Sequence, residues 1–390
     1  MRAAMIALKQ KLIKTLDGYH WATKSRWKLT LGFGLFVVLI WLTAWHTDQF
    51  VRDLGRLRSS YGIPYWIVFM FAGVLLLHEA DHKWKREWIK LPVGLLCVFY
   101  IHYCCLSLLW IALACITWIP QWVSSYASLL ILVLSCCFTI ADFRNTNKIK
   151  TTTYEIAIKG IHRTGRIVLI SDLHLGPFVR AKHVKRIVKK IIASSPDLVL
   201  IVGDLIDEDH TVLNNDKQLE LIARHFRQIQ SKNGILLTLG NHDPNADNPQ
   251  FRIFLEECNI RLLHNEVAEY ADYYILGRSD PARNDRKPIN LLLDQCDGQK
   301  PIIVADHNPQ YIPEAVDTGV ALVLSGHTHA GQFFPANIAV KWVVGSNRFY
   351  GHHTEGITQM IISSGAGCFN LPIRLGSHNE IVTINLINND

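Results

Sequence analysis

Two patterns of apolar residues divide the chain. Four long runs with few charged positions occupy residues 29–45, 61–77, 91–111 and 123–140. Each approaches the ~20 residues that a helix needs to cross a bilayer, and tryptophan and tyrosine crowd their ends, as is typical of the membrane–water boundary. From residue 151 onwards the apolar runs are short and alternate with amphipathic stretches. This second pattern predicts strands interleaved with helices.

The long runs predict four transmembrane helices rather than a buried soluble bundle, since four runs without polar faces are hard to bury in a small domain. Lysine and arginine predict their orientation. Fourteen lie in the N-terminal segment, the second loop and the segment after the last run, against three on the opposite side. By the positive-inside rule, both termini and the following domain are expected in the cytoplasm. We therefore expect an integral protein of the inner or plasma membrane.

The same pattern predicts the domain organisation. We expect a cytoplasmic segment over residues 1–28, a four-helix transmembrane domain over 29–140, a linker with a first strand over 141–165, and an α/β domain over 166–390. Within the last domain, strands are predicted at 167–171, 198–202, 235–239, 302–305, 320–325, 359–363 and 381–385. Helices are predicted near 179–194 and 217–229. The expected fold is a sheet covered by helices, with the late strands in a second sheet.

Composition excludes several functional classes. Of the nine cysteines, five lie in the apolar runs, a sixth (Cys115) lies just beyond the third run, and the other three lack metal or redox spacing, so no disulfide framework or zinc ribbon is expected. The apolar runs carry no obvious buried charge, which disfavours a transporter. The net charge of +7 comes largely from loops. Because no platform of aromatic and basic residues accompanies it, nucleic acid is not an expected partner.

Polar islands follow the predicted strands and carry the candidate chemistry. They are Asp172-Leu173-His174, Gly203-Asp204, Gly240-Asn241-His242-Asp243, Asp306-His307-Asn308 and Gly326-His327-Thr328-His329. Side chains at the carboxyl ends of strands converge where α/β sheets place their sites. A mixture of carboxylate, amide and imidazole ligands suits a pair of divalent ions, which can generate hydroxide and neutralise a phosphate under attack. The islands therefore predict a two-metal phosphoesterase.

In their order and spacing, these islands resemble those of the calcineurin-like metallophosphoesterase superfamily, over residues ~165–330. The resemblance implies a two-sheet sandwich flanked by helices. It also implies one ion held by Asp172, His174, Asp204 and His329, and a second held by Asp204, Asn241, His307 and His327. His242 resembles the catalytic histidine that assists the leaving group, with Asp243 as an orienting partner. Mn²⁺ suits this ligand set best, with Fe or Zn as alternatives.

The flanking sequence resembles the membrane-tethered branch of that superfamily, which includes YkuE-like phosphoesterases and UDP-2,3-diacylglucosamine hydrolases. This resemblance implies a phosphorylated, lipid-linked substrate cleaved by in-line attack of hydroxide. Residues 377–380 depart from the Arg-Pro-Glu usual there, and the departure bears on the substrate. Two alternatives stay open: the same chemistry on a soluble nucleotide-type phosphodiester, and a non-catalytic membrane sensor or scaffold. The basic face of the helix near 179–194 fits either anionic lipid or solvent.

Overall fold

The computed structural model describes residues 87–116 and 121–388. The chain divides into two units, Met1–Ala141 and Asp142–Asp390. The runs at 91–111 and 123–140 lie on two helices, α1 (Glu87–Ile116) and α2 (Gln121–Asn145). Neither these nor any other helix within residues 87–116 and 121–388 combines the length and apolarity of a membrane span. The spans predicted at 29–45 and 61–77 lie outside the described residues.

The second unit contains twelve strands within the part of the chain that the structure describes. They are β1 (Ile149–Ile158), β2 (Gly165–Ile170), β3 (Leu198–Val202), β4 (Ile235–Thr238), β5 (Ile260–Leu262), β6 (Glu266–Glu269), β7 (Tyr274–Arg278), β8 (Ile302–Asp306), β9 (Leu322–Ser325), β10 (Gly351–Glu355), β11 (Thr358–Ile362) and β12 (Asn379–Asn388). The principal helices of this unit are α3 (Ala181–Ala193), α4 (Asp216–Phe226), α5 (Pro249–Glu257), α6 (Ile289–Leu293), α7 (Ile312–Val316) and α8 (Ala336–Val344).

These strands form two six-stranded mixed sheets. The first has the order β1-β12-β2-β3-β4-β5, and the second has the order β10-β11-β9-β8-β7-β6. Strands β2 to β5 are parallel to one another, as are β7, β8, β9 and β11. The predicted two-sheet α/β fold is therefore confirmed. The expectation that all late strands join the second sheet is wrong for β12, which runs antiparallel to β2 in the first sheet.

The alternation of side chains along each strand explains why two sheets pack together. In β2, Ile167 and Leu169 point into a core shared with second-sheet residues such as Ile303. Val168 and Ile170 point the other way, into a core covered by helices α3, α4 and α5. A third core lies under α6 and α7 on the outer face of the second sheet. Both faces of each sheet are thus buried, as expected for strands of continuous apolar sequence.

The segment predicted as a linker with a first strand, residues 141–165, is largely regular structure. Helix α2 continues to Asn145 and β1 begins at Ile149, so only residues 146–148 separate the two. Strand β1 pairs along its whole length with β12. The N-terminal part of the domain is therefore an edge of its first sheet.

Candidate metal centre

The predicted site residues follow strands whose carboxyl ends meet at one end of the domain. Asp172 follows β2, Asp204 follows β3 and Asn241 follows β4 in the first sheet. His307 follows β8 and His327 follows β9 in the second sheet. Neighbouring parallel strands end side by side, so loops from both sheets converge there. Residues as far apart in the chain as 155 positions become hydrogen-bonded neighbours.

The backbone at the centre is bent so that the side chains turn inward. Five of the predicted ligands have a positive φ: Asp172, His174, Asp204, His327 and His329. This conformation costs of the order of 1–3 kcal/mol for each non-glycine residue, so surrounding packing must hold it. Two glycines make the close approach possible. A Cβ on Gly240 would collide with the Asp204 carboxylate, and one on Gly326 would collide with the Asp172 carboxylate.

The first group of possible ligands is Asp172, His174 and His329, all of them buried. The Nε2 atoms of His174 and His329 lie 3.1 Å apart. The Nε2 atom of His329 is 3.4 Å from Oδ1 of Asp172. Ligand atoms about 2.1 Å from one ion lie roughly 3 Å from each other. The spacing of this group therefore fits a single divalent cation.

The second group is Asp204, His307 and His327. Oδ2 of Asp204 lies 3.0 Å from Nε2 of His307. The amide oxygen of Asn241 lies 3.0 Å from Nδ1 of His327, which adds the predicted fourth ligand. The same Oδ2 atom of Asp204 is 3.7 Å from Nε2 of His174 in the first group. Asp204 thus stands between the two groups, where a bridging carboxylate would have to be.

Ring orientation supports the second position as a cation site. Nδ1 of His307 lies 2.8 Å from the carbonyl oxygen of Val202 and donates to it. That bond points Nε2 into the centre, where this buried atom has no hydrogen-bond partner of good geometry. A backbone hydrogen bond behind a ligating nitrogen is the usual way in which proteins fix a metal-binding imidazole.

The first position fits a cation on one condition. The buried guanidinium of Arg374 lies 3.1 Å from Nδ1 of His329 and also donates to the carbonyl oxygens of His329 and Gly367. A guanidinium can only donate, so Nδ1 accepts and the Nε2 proton of His329 points at His174. A cation there requires that proton to leave or the Nδ1 contact to open.

Burial and neighbouring charges set the protonation states of the residues in the centre. Burial alone would raise the pKa of Asp204, but the charges of His307, His242 and His174 and the hydrogen bond from His307 together hold this pKa well below its usual range. Burial likewise opposes charge on His307, yet the carboxylates of Asp204 and Asp172 raise its pKa well above its usual range. Burial and then the charge of His307 lower the pKa of His327 to about 3. The ring of His327 is therefore neutral at physiological pH, which is the form that ligates a metal.

His242, the predicted catalytic histidine, is half-buried beside the centre, with its ring centroid 5.4 Å from that of His174. Its backbone nitrogen donates to Oδ1 of Asp204 at 2.9 Å, and its carbonyl oxygen accepts from Nε2 of His210 at 2.8 Å. Its ring packs against Phe369, with centroids 4.7 Å apart. Nδ1 of His242 is 4.0 Å from a carboxylate oxygen of Glu208.

Asp243, predicted as an orienting partner of His242, has its carboxylate directed elsewhere. Oδ2 accepts hydrogen bonds of 2.8 Å from the backbone nitrogens of Asp204 and Gly240, and Oδ1 accepts one of 3.0 Å from Ile206. These bonds fasten two ligand-bearing loops to each other. The contacts of this carboxylate fit a support for the loops.

Several residues of the centre escaped prediction from the sequence. Asp207 has its Oδ1 atom 3.5 Å from Nδ1 of His174, on the side away from His329. Phe369 covers the rings of His174 and His242. Asp207 follows Asp204 by three positions, so its place after the same strand was a usable signal. Arg374 lies in the segment 371–376, which fits the pattern of the family branch, but nothing in that pattern predicted its contact with His329. Phe369 lies in the same loop outside that segment and left no signal of this kind.

The sequence was compared with known proteins. Residues 165–331 match the calcineurin-like phosphoesterase family. The chain is 31% identical over 246 residues to an uncharacterized metallophosphoesterase of Helicobacter pylori, covering 62% of this chain and 64% of that protein. It is 33% identical over 237 residues to a "transmembrane protein with metallophosphoesterase domain" of Danio rerio, covering 56% and 52%. An uncharacterized metallophosphoesterase of Campylobacter jejuni is 27% identical over 375 residues, covering 91% and 96%.

The chain spans about half to two thirds of the length of the first two relatives and nearly all of the third. The matched segment contains every predicted metal ligand and the predicted catalytic histidine. Residues 165–331 therefore belong to the calcineurin-like metallophosphoesterase superfamily.

Proposed function

We propose that this chain is a membrane-anchored, metal-dependent phosphoesterase that hydrolyses a phosphodiester or pyrophosphate. The observation that carries the proposal is the position of Asp204 between two groups of ligands. Its Oδ2 atom is 3.0 Å from His307 in one group and 3.7 Å from His174 in the other. Two cations sharing one carboxylate are suited to in-line displacement at phosphorus.

The residues that would hold the cations follow from this geometry. The first would take Asp172, His174, Asp204 and His329, and the second would take Asp204, Asn241, His307 and His327. When bound, two divalent ions supply a nucleophile at neutral pH and neutralise charge on the phosphate. Mn²⁺ suits the mixed oxygen and nitrogen ligands best, with Fe or Zn as alternatives.

The protein's own contribution is positioning and proton transfer. His242 is held at both backbone atoms, so its ring has a fixed place beside the centre. We assign to it the proton that the departing oxygen needs, a step that such a residue accelerates by about 10²–10⁴-fold. Phe369 lies against this ring and limits the access of water to it. Asp243 holds the two loops at the spacing that the shared carboxylate requires.

Four observations support a membrane location with the domain in the cytoplasm. Relatives from Danio rerio and Bos taurus are named as transmembrane proteins. Helices α1 and α2 expose large apolar side chains, among them Leu109, Leu129 and Ile140. The hydroxyls of Ser135 and Thr139 bond to carbonyls four residues earlier, which satisfies them within the helix. The charge bias of the loops favours a cytoplasmic domain.

A site kept beside a membrane favours a lipid-linked substrate, with a UDP-2,3-diacylglucosamine type of pyrophosphate as one instance. The test uses the full-length chain purified in detergent with Mn²⁺, given bis(p-nitrophenyl) phosphate and UDP-2,3-diacylglucosamine. Asp204→Ala should abolish both activities and lower the bound metal. His242→Ala should keep the metal and slow turnover, while Asp247→Ala on the exposed part of the same loop should change neither.

Three results would contradict parts of this proposal. Full metal binding without hydrolysis of any phosphoester would favour a sensor or scaffold. Hydrolysis restricted to soluble nucleotide substrates would favour the second enzymatic reading. Loss of metal in His242→Ala would mean that this histidine is a ligand.

A further inference from the structure

The ring of His329 in the first position has a hydrogen-bond donor behind it, unlike the ring of His307 in the second position. Nδ1 of His307 donates to the carbonyl oxygen of Val202 at 2.8 Å, and an acceptor placed there keeps Nε2 available to a metal. Behind His329, Nη2 of Arg374 lies 3.1 Å from Nδ1. Because a guanidinium has donors and no acceptor, Nδ1 of His329 has to accept. The hydrogen of this ring therefore lies on Nε2, the atom that would ligate the first cation.

The neighbouring ring of His174 fits this direction of donation. Its Nε2 atom lies 3.1 Å from Nε2 of His329, so the hydrogen of His329 lies between the two nitrogens. On the other side of the His174 ring, Oδ1 of Asp207 lies 3.5 Å from Nδ1, where it faces the hydrogen that this nitrogen then carries. The donors point in one direction, from Arg374 through both rings toward Asp207. A cation held by both Nε2 atoms would need the space that the shared hydrogen takes.

The guanidinium of Arg374 is held in place by several further contacts. Nη1 donates to the carbonyl oxygen of His329 at 2.9 Å and to the hydroxyl of Ser377 at 3.2 Å. Nη2 donates to the carbonyl oxygen of Gly367 at 2.6 Å. Gly365 leaves room for the pair, since a Cβ there would lie 3.4 Å from Nδ1 of His329 and 3.5 Å from Nη2. The donor behind His329 is therefore a fixed part of the packed loop.

The same side chain brings a positive charge into the domain without an ion pair. Arg374 is fully buried. Among the described residues it contacts carbonyl oxygens, one hydroxyl and the ring of His329, and no carboxylate. An arginine side chain keeps its charge in proteins, and a charge in a buried site acts on its neighbours more strongly than it would in water. The charge and the direction of donation both oppose a cation in the first position.

We propose that Arg374 is a positioning residue that lowers the affinity of the first position for its divalent cation. The inference rests on the two-metal centre of the proposed function and adds the residue that sets the affinity of one of its positions. The partner behind a ligating histidine typically changes metal affinity by about 10–100-fold. Here that partner has the polarity that opposes ligation, so a partner of the opposite polarity should strengthen binding.

Arg374→Gln reverses the contact, because an amide oxygen can accept a hydrogen from Nδ1 and the variant carries no charge. The test is an equilibrium titration of the full-length chain in detergent with Mn²⁺ alone, in which electron paramagnetic resonance counts the free ion. The loss of one binding event in His329→Ala identifies the first position. Arg374→Gln should tighten the first position about tenfold and leave the second unchanged. Arg374→Lys keeps a charged donor and should bind as weakly as the unsubstituted chain.

The sign of the change separates this role from a merely structural one, since a residue that only holds its loop together would weaken metal binding when replaced. Unchanged or weaker binding at the first position in Arg374→Gln would overturn the proposal, and so would equal tightening in Arg374→Lys. In the His329→Ala background, Arg374→Gln should change nothing; tightening there would mean that Arg374 acts through another residue. Fewer than two Mn²⁺ ions bound by the unsubstituted chain would instead overturn the two-metal centre of the proposed function.

A second measurement needs no substitution of Arg374 and decides the matter even if Arg374→Gln does not fold. The full-length chain is labelled with ¹⁵N-histidine, reconstituted in lipid vesicles without metal and studied by solid-state NMR. The signals of His329 are those that disappear in His329→Ala. We expect hydrogen on Nε2 and none on Nδ1 of His329. Hydrogen on Nδ1 in the metal-free protein would overturn the proposal.

Discussion

Replacing Asp243 tests whether its carboxylate supports the ligand-bearing loops or takes part in catalysis. It accepts three backbone hydrogen bonds, at 2.8 Å from Asp204, 2.8 Å from Gly240 and 3.0 Å from Ile206. In Asp243→Asn, the side-chain oxygen can keep the first two bonds because both involve Oδ2. The new amide group then faces the Ile206 nitrogen, and a donor meets a donor. In Asp243→Ala all three nitrogens lose their partner.

The expected loss of stability follows from the number of hydrogen bonds that each variant loses. A hydrogen bond to a charged group is worth about 1.5–3 kcal/mol, and a buried donor left unpaired costs about 1–3 kcal/mol. Asp243→Asn should therefore destabilise the metal-free domain by about 2–3 kcal/mol. Asp243→Ala should destabilise it by about 4–6 kcal/mol, since neighbouring losses do not add fully. At about 2–4 °C per kcal/mol for a domain of this size, the melting temperature should fall by about 4–12 °C in Asp243→Asn and by about 8–24 °C in Asp243→Ala.

Thermal unfolding of the full-length chain in detergent, followed by near-ultraviolet circular dichroism, measures these shifts. Metal titration beside it should show weaker binding in both variants, because the spacing of Asp204 and Asn241 loosens. His242→Ala is the contrasting variant and should keep its melting temperature within about 1–2 °C. If Asp243→Ala kept both its melting temperature and its metal but lost turnover, the carboxylate would act on His242 as the sequence first suggested, and the structural argument would be refuted.

Three further outcomes are expected. The raised pKa of His307 means that the metal-free protein holds a proton on this ring at pH 7. Mn²⁺ binding should therefore release that proton, and the affinity for Mn²⁺ should fall about tenfold for each unit by which the pH is lowered. Calorimetry in buffers of different ionisation enthalpy measures the proton release, which His307→Asn should abolish. Phe369→Ala should lower kcat about tenfold with the metal retained, because the ring that packs against His242 is gone. In the same steady-state assay, Phe369→Leu should recover part of the lost kcat. Arg283 donates to the carbonyl oxygens of Asp243 and Pro244, so Arg283→Lys should lower kcat about tenfold by loosening that loop, an effect checked against unchanged KM.

The strands in the first part of the α/β domain could be predicted from local sequence. The apolar run 198–202 coincides with strand β3, and five consecutive buried side chains are typical of a strand covered on both faces. This run ends at a glycine, which fixes where the strand stops. The place of β12 did not follow, since its sequence is equally compatible with either sheet. Its pairing with β1 and β2 depends on contacts with residues more than 200 positions away.

The ligands of the centre could be predicted for a chemical reason. Few residue types bind divalent metals, and pairs such as Asp172 with His174 place two of them on one turn after a strand. The residues that hold the ligands in place are less restricted in their residue type. Val202 supports His307 through its carbonyl oxygen, which any residue supplies. Arg374 reaches His329 across 45 positions, so neither contact leaves a local pattern.

Glu380 shows how a departure from a family pattern acquires a physical meaning. Its buried carboxylate accepts from the backbone nitrogen of Ser364 at 2.9 Å and from the Tyr350 hydroxyl at 3.1 Å. It therefore fixes the loop that packs on Asp172. The position before it, Asn379, differs from the usual proline and binds Thr146 at the point where the chain enters the domain. Proline has no side-chain amide and could not make this bond. The departure thus falls on the connection to helix α2.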